Sequence, residues 1–130
     1  MRRAPLATAL ACAALAGCGD DSKESTGSAA VETGVSLAVA ADEYSFKPGS
    51  ITVRKGSRAQ AVFAFSLKND GSLPHDLRVR GGGDNLGGSE PIGGGESASA
   101  RVTLAPGEYE IFCSIGDHED LGMKGKLKVE

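Results

Sequence analysis

Short runs of alternating apolar and polar residues occupy most of the chain from Val35 to Val129, and Gly, Pro and Asp residues separate them. Since successive side chains of a strand point to opposite faces, each run predicts a β-strand with one buried face. The apolar positions with this spacing are Val35, Leu37 and Val39; Ile51 and Val53; Ala61, Phe63, Phe65 and Leu67; Leu77 and Val79; and Val102 and Leu104. The pattern predicts about seven strands in two packed antiparallel sheets.

The segment from Leu104 to Tyr109 resembles a tyrosine corner, a device of Greek-key folds in which the phenol bonds to backbone a few residues upstream. We therefore expect Tyr109 to be structural. The alternation also places Tyr109, Ile111 and Cys113 on one face of a strand, so the Cys113 thiol should point into the interior. The predicted fold is an all-β Greek-key β-sandwich.

Two segments lack the alternation. Residues 19–34 consist mainly of Gly, Ser, Thr, Asp, Glu and Ala, with almost nothing large to bury, and this composition predicts a flexible tether. Residues 81–95 contain eight glycines in fifteen positions. We interpret this second segment as a mobile loop that connects two strands.

The first 17 residues have the pattern of a signal peptide, in which Arg2 and Arg3 precede an apolar run. Residues 15–18, Leu-Ala-Gly-Cys, resemble a bacterial lipobox, which implies cleavage before Cys18 and attachment of a lipid to its sulfur. Cleavage by ordinary signal peptidase is the alternative. With the lipid, the protein would be exported and anchored to the cell membrane, facing the periplasm or the cell exterior.

The chain of 130 residues is long enough for one domain with a modest core. We predict a signal peptide at residues 1–17, a lipidated cysteine and tether at 18–34, and one domain at 35–130. Removal of the signal peptide leaves 12 basic against 17 acidic residues, a formal charge of −5. This charge argues against nucleic acid as a partner. We expect a monomer.

The candidate chemistry lies in the stretch Cys113-Ser-Ile-Gly-Asp-His118-Glu-Asp-Leu-Gly-Met123, which brings a thiol, an imidazole and a thioether into one loop. His75 offers a second imidazole upstream. Two His, one Cys and one Met form the ligand set of a blue-copper electron-transfer site. We predict His75, Cys113 and His118 as the strong equatorial ligands of one copper ion. Met123 is predicted to be its weak axial ligand.

Cysteine usage supports a metal at this position. Cys12 would leave with the signal peptide and Cys18 would carry the lipid, so Cys113 has no intramolecular disulfide partner. A lone thiol in an oxidising compartment is a liability unless it is buried or bound to a metal. Both His residues, and the one Met other than Met1, fall on candidate ligand positions.

In these residues the chain resembles the cupredoxins, the small blue copper proteins of the plastocyanin and azurin type. Four residues separate Cys113 from His118, and four separate His118 from Met123. That spacing is specific, and Lys124–Val129 resembles the closing strand of the family. The resemblance implies an electron carrier that cycles one copper between Cu(I) and Cu(II). Together with the lipobox-like residues, it predicts a carrier anchored to a membrane outside the cytoplasm. Its partners would be redox proteins such as cytochromes, oxidases or reductases.

The residues beside the ligands have predicted roles too. Asp76 and Ser114 each follow a ligand, and hydrogen bonds between them would tie the two ligand segments together. The loop departs from many cupredoxins of this loop length at Gly116-Asp117, where those proteins have Pro-Gly.

The resemblance also implies an apolar docking patch around the C-terminal ligand His118. The residues predicted to build this patch are Leu73, Pro74, Ile115, Leu121 and Gly122. The acidic residues that flank His118 would steer an approaching partner; they are Asp117, Glu119 and Asp120.

Other uses of these ligands are less consistent with the sequence. Structural zinc sites normally take four Cys or His ligands, and haem attachment requires a Cys-x-x-Cys-His motif. Storage or delivery of copper without electron transfer is the alternative function, although the chain has no Met-rich or paired-Cys tract. Copper enzymes built from cupredoxin domains need additional His ligands, and this chain has only two His. We therefore predict that it is not an enzyme.

Overall fold

The computed structural model describes residues 25–130, which form ten β-strands in two packed sheets. The strands are β1 Ser28–Glu32, β2 Ser36–Asp42, β3 Ser45–Lys47, β4 Ser50–Arg54, β5 Ala61–Asn69, β6 Arg78–Gly81, β7 Asp84–Gly88, β8 Ser97–Leu104, β9 Gly107–Phe112 and β10 Lys124–Val129. Within this range no helix is long and apolar enough to cross a membrane. The signal peptide and the lipidation site Cys18 lie outside the described residues and stay predictions.

The prediction of an all-β sandwich is confirmed, but the described residues form ten strands rather than about seven, and the sheets are mixed rather than antiparallel. The larger sheet has the strand order β1-β4-β10-β9-β6-β7, and the smaller sheet has the order β3-β2-β5-β8. Strand β4 runs parallel to both β1 and β10, and β2 runs parallel to β5. The antiparallel prediction is wrong at these pairs because strands distant in sequence lie side by side, a placement that local alternation does not reveal.

The core lies between the two sheets and uses the predicted apolar positions. Side chains that are at most 5% exposed fill it from both sides: Ile51, Val53, Val79, Leu127 and Val129 from the larger sheet, and Val39, Phe63, Phe65, Leu67 and Val102 from the smaller one. Full burial of one such side chain contributes about 1.5–3 kcal/mol. Val35 precedes β2 and is exposed, so it stays outside this core.

The predicted tether is wrong for its last part, because residues 28–32 form strand β1. Each residue from Ser28 to Glu32 aligns with one residue of β4 from Ser50 to Arg54. Just before this strand, Ser25 Oγ accepts a hydrogen bond of 2.9 Å from the Phe46 amide. Backbone pairing needs no large side chain, which explains why a composition of small residues concealed the strand.

The glycine-rich segment is likewise partly a strand, so the prediction of a mobile loop is wrong for residues 84–88. Strand β7 pairs antiparallel with β6, and Gly88 lies opposite Arg78. Gly88 has a φ of +147°, and a Cβ at this position would collide with the Leu77 carbonyl. Glycine here therefore permits a close approach of two backbones.

The tyrosine corner is confirmed and fixes the start of β9. The Tyr109 hydroxyl donates a hydrogen bond of 2.7 Å to the Ala105 carbonyl. Further along the same face, Ile111 and Cys113 are buried, with exposed fractions of 0% and 1%. The strand therefore delivers the thiol to one end of the core.

Candidate metal centre

Three predicted ligands converge at this end of the sandwich. The Cys113 Sγ lies 3.6 Å from His118 Nδ1 and 4.0 Å from His75 Nδ1. One donor atom from each of the three residues lies within 4.8 Å of the other two, and all three residues are buried. Two imidazoles and a thiol are thus arranged around one point without any rearrangement of the fold.

His75 is positioned by backbone pairing just before β6. Its amide donates a 3.0 Å hydrogen bond to the Ile92 carbonyl, and the Ile92 amide donates a 2.9 Å bond to the His75 carbonyl. Asn69 reinforces this arrangement, because its side-chain amide donates to the carbonyls of Leu73 and Ile92 at 2.7 and 3.0 Å. The segment that precedes His75 and the segment that pairs with it are therefore both bonded to the buried Asn69 side chain.

The loop from β9 to β10 supplies the other ligands and is closed by its own backbone. The Cys113 amide donates to the Met123 carbonyl at 3.1 Å, and the Met123 amide donates to the His118 carbonyl at 3.1 Å. The His118 amide donates to the Ile115 carbonyl at 3.0 Å. Met123 is completely buried in the core. These bonds hold the predicted axial residue beside the thiol and the imidazole in one compact turn.

The predicted tie between the two ligand segments is present. The Ser114 amide donates a 2.7 Å hydrogen bond to Asp76 Oδ1, and the Ser114 hydroxyl donates to Asp76 Oδ2. Asp76 is only 2% exposed. Because Asp76 follows His75 and Ser114 follows Cys113, this carboxylate fixes the spacing between the imidazole and the thiol.

The turn between β2 and β3 contacts both imidazoles, a role that the sequence did not predict. Glu43 Oε1 lies 3.3 Å from His75 Nε2. The centre of the Tyr44 ring lies 5.0 Å from that of His118, with an angle of 56° between the planes. In the sequence these residues are only a polar interruption between two apolar runs, so nothing local identifies them.

Arg80 was also missed, because the alternation of β6 merely predicts an outward side chain. Its guanidinium donates to both carboxylate oxygens of Glu119 and, at 2.7 Å, to Glu110 Oε2. The Arg80 Cζ also lies 4.3 Å from the centre of the Phe112 ring. Since Glu119 follows His118, Arg80 holds the metal loop against the larger sheet. Glu119 is therefore a paired charge rather than a free steering charge.

The surroundings alter the proton affinities of these groups. Burial raises the pKa of the Cys113 thiol and is the main cause that lowers the pKa of His75, against the opposing effect of Glu43. A hydrogen bond from Arg80 lowers the pKa of Glu119. Hydrogen bonds from backbone amides, that of Leu73 first, lower the pKa of Glu43 to about 2. The interior thus favours a neutral imidazole and disfavours an uncompensated thiolate.

The donor set fits a single copper ion. A bound cation would compensate the charge of the buried Cys113 thiolate, and the two imidazoles accept either oxidation state. The thioether of Met123 selects soft ions, and structural zinc sites do not use it. The residues that would hold the ion are His75, Cys113, His118 and Met123.

The predicted docking residues flank the two imidazoles. Leu73 and Leu121 are 40% and 49% exposed, which is unusual for large apolar side chains in this fold. Pro74 is exposed as well, whereas Ile115 and Gly122 are half-buried. His118 itself is 8% exposed, and His75 is fully buried. The apolar residues beside His118 are therefore accessible from outside.

The fold is similar to that of known copper proteins. An auracyanin from the photosynthetic bacterium Roseiflexus castenholzii has a TM-score of 0.62 at 19% identity, over 80% of this chain and 99% of that one. Auracyanin A, a "blue" copper protein from Chloroflexus aurantiacus, has a TM-score of 0.62 at 22% identity, over 74% and 98% of the two chains.

A multicopper oxidase shares the fold more distantly. Its TM-score is 0.55 at 17% identity, and the match covers 73% of this chain but only 41% of the oxidase. No curated protein matches the sequence significantly. Residues 6–129 match the family model of the cupredoxin-like domain. Because that match spans nearly the whole chain, and the ten strands form the corresponding sandwich, the protein belongs to the cupredoxin-like domain family.

Proposed function

We propose that this cupredoxin is an electron carrier that works outside the cytoplasm and cycles one copper between Cu(I) and Cu(II). The observation that carries the proposal is the buried convergence of three donor atoms within 4.8 Å. A bound copper ion would supply one-electron exchange at this point. The alternative, copper storage or delivery, needs ligands that a second protein can reach, and here His75 and Cys113 are almost fully buried.

The chain's own contribution is to keep the donors in place while the charge of the site changes. Asp76 fixes the spacing between His75 and Cys113 from one side, and Arg80 holds the loop at Glu119 from the other. A site whose ligands hardly move needs little reorganisation when an electron arrives or leaves. Cys113 and Met123 are at most 1% exposed in the hydrophobic core, and this burial would protect the thiolate from oxidation.

Electrons are proposed to pass through the surface beside His118. Leu73, Pro74, Ile115, Leu121 and Gly122 would form the contact, because an apolar surface sheds water when a partner approaches closely. A cytochrome, an oxidase or a reductase with a matching apolar surface would be the partner. His118 is 8% exposed, whereas His75 is 0% exposed, so His118 offers the shorter route out of the protein.

A lipid on Cys18 would hold the carrier at the membrane, with residues 19–27 leading to the first strand. The proposal rests on the lipobox-like residues 15–18 and the preceding apolar run. The substitution Cys18→Ser should move the protein from the membrane fraction to the soluble fraction. Retention of a processed Cys18→Ser protein in the membrane fraction would contradict the anchor.

An enzymatic role is less well supported than electron transfer, even though a multicopper oxidase shares the fold. Copper enzymes of that kind use additional His ligands for further metal ions. Both His residues of this chain already lie in the one centre. An electron carrier requires no second centre, and the site described above suffices for it.

Addition of Cu(II) to the purified domain tests the proposed function. We expect one equivalent to produce an intense thiolate-to-copper band that bleaches with a reductant and returns with an oxidant. Met123→Leu should keep this band and shift the reduction potential, because a weak axial donor tunes the ion more than it holds it. Tight binding of colourless Cu(I), without a reversible band, would instead indicate copper delivery.

A further inference from the structure

The carboxylate of Glu43 lies behind His75 and makes three contacts at once. Its Oε1 is 3.3 Å from His75 Nε2, and it accepts hydrogen bonds from the amides of Ser72 and Leu73 at 2.8 and 2.7 Å. The β2–β3 turn thereby joins the imidazole to the segment that precedes it in sequence. The Glu43 side chain, 32 residues away from His75 in sequence, thus contacts both the imidazole and this segment.

The protein is built to accommodate this carboxylate. A Cβ at Gly71 would collide with the carboxylate of Glu43, so a larger residue there would displace this carboxylate from its present position. The convergence of N–H donors on one carboxylate stabilises its charged form. Among the described residues, Glu43 forms no ion pair with a Lys or Arg, and His75 is the basic side chain within ion-pair distance of it.

The contact determines which nitrogen of His75 is free. A hydrogen bond donated by Nε2–H to the carboxylate leaves Nδ1 as the lone-pair atom, and Nδ1 is the nitrogen that faces Cys113 Sγ. A carboxylate behind a ligand imidazole fixes the ring and increases its donor strength. The negative charge also favours the metal state of higher charge.

On the basis of the proposed copper function, we infer that Glu43 is a positioning residue for His75. It holds the imidazole as the Nε2–H tautomer and stabilises the oxidised copper relative to the reduced copper. His118 has no equivalent partner among the described contacts, since its neighbour in this turn is the ring of Tyr44. The turn thus places a charged side chain behind His75 and an aromatic ring beside His118.

Glu43→Gln tests the inference, because it removes the charge and keeps a side chain of the same length. The matched control is Asp42→Asn, which makes the same charge change one residue away in an exposed side chain. Asp42 Oδ1 accepts a hydrogen bond from the Glu43 amide, and the side-chain oxygen of Asn can accept the same bond. In the metal-free protein, nitrogen NMR of the imidazoles should show His75 as the Nε2–H tautomer in the wild type and the control. Glu43→Gln should give a mixture of tautomers.

In the copper-loaded protein, Glu43→Gln should lower the Cu(II) affinity relative to the Cu(I) affinity by about tenfold, which raises the reduction potential by about 59 mV. Asp42→Asn should change it much less. Equal shifts in both variants, or an unchanged tautomer and potential in Glu43→Gln, would overturn the inference. If Glu43→Gln does not fold, Glu43→Asp replaces it, because the charge then lies one methylene farther from Nε2. A wild type that binds no copper contradicts the proposed function, while the tautomer still decides the role of Glu43.

Discussion

His75 and His118 present two different ways of holding the same side chain. His75 sits between Glu43 and the Ile92 backbone with no exposed surface, whereas His118 lies in a turn-rich loop and is 8% exposed. The first imidazole is fixed by hydrogen bonds within the sandwich. The second is fixed from outside, through its neighbour Glu119 and Arg80. The two sides of the site therefore differ in function. The His75 side makes the site rigid, and the His118 side makes it accessible to a partner.

Removal of the thiol common to both sides should have the largest effect. Cys113→Ser is expected to abolish the blue band completely, because the band depends on the sulfur. The sandwich should still fold, since its core extends far beyond Cys113. Visible absorption and circular dichroism measure the two halves of this prediction. Loss of the folded spectrum would show that Cys113 matters mainly for packing.

Asp76→Ala should weaken the rigid side. The substitution removes a buried carboxylate that accepts bonds from both the amide and the hydroxyl of Ser114, at a cost of about 2 kcal/mol in the free energy of unfolding. Ser114→Ala, the control, removes only the hydroxyl bond and should cost about 1 kcal/mol. Urea denaturation of the metal-free proteins measures both values. Equal losses would mean that the backbone bond contributes nothing.

Arg80→Ala should loosen the loop that contains His118 while leaving the surroundings of His75 unchanged. The ion pair with Glu119 is about a quarter exposed on each side chain, so we expect a local loss of about 1 kcal/mol. Amide hydrogen exchange in residues 114–122 should then accelerate about fivefold. The control Arg78→Ala breaks bonds to Asn85 and Ser89 and should leave this loop unaffected. Uniform acceleration in both variants would contradict a specific clamp.

The smallest structural effect is expected from Leu121→Lys, which alters only the surface beside His118. The spectrum and the reduction potential should stay nearly unchanged, while electron exchange with a redox partner slows. Val35→Lys is the matched control, because Val35 is similarly exposed and lies just before β2, whose other end leads to Glu43. Stopped-flow kinetics compares the two. A wild-type rate for Leu121→Lys would show that electrons leave elsewhere.

Much of the fold and the ligand set could be predicted from the sequence because both depend on local patterns. Alternation identified the buried faces, and the spacing from Cys113 to Met123 identified the loop. The contacts that support the ligands depend on topology instead. Glu43 meets His75 across 32 residues and Arg80 meets Glu119 across 39, and neither pair shares a motif. Strands β1 and β7 were missed because small residues and glycine pair through backbone alone. Strand β3 was missed because its three residues are too few to show alternation.

The central claim is that one copper remains in a site that scarcely changes while its charge cycles. Voltammetry of the copper-loaded domain, recorded with a Cu(I) chelator in solution, tests this claim directly. We predict one reversible one-electron wave that persists over many cycles, because the buried His75 and Cys113 give the chelator no access. Transfer of copper to the chelator on the first reduction, or the absence of a reversible wave, would contradict it.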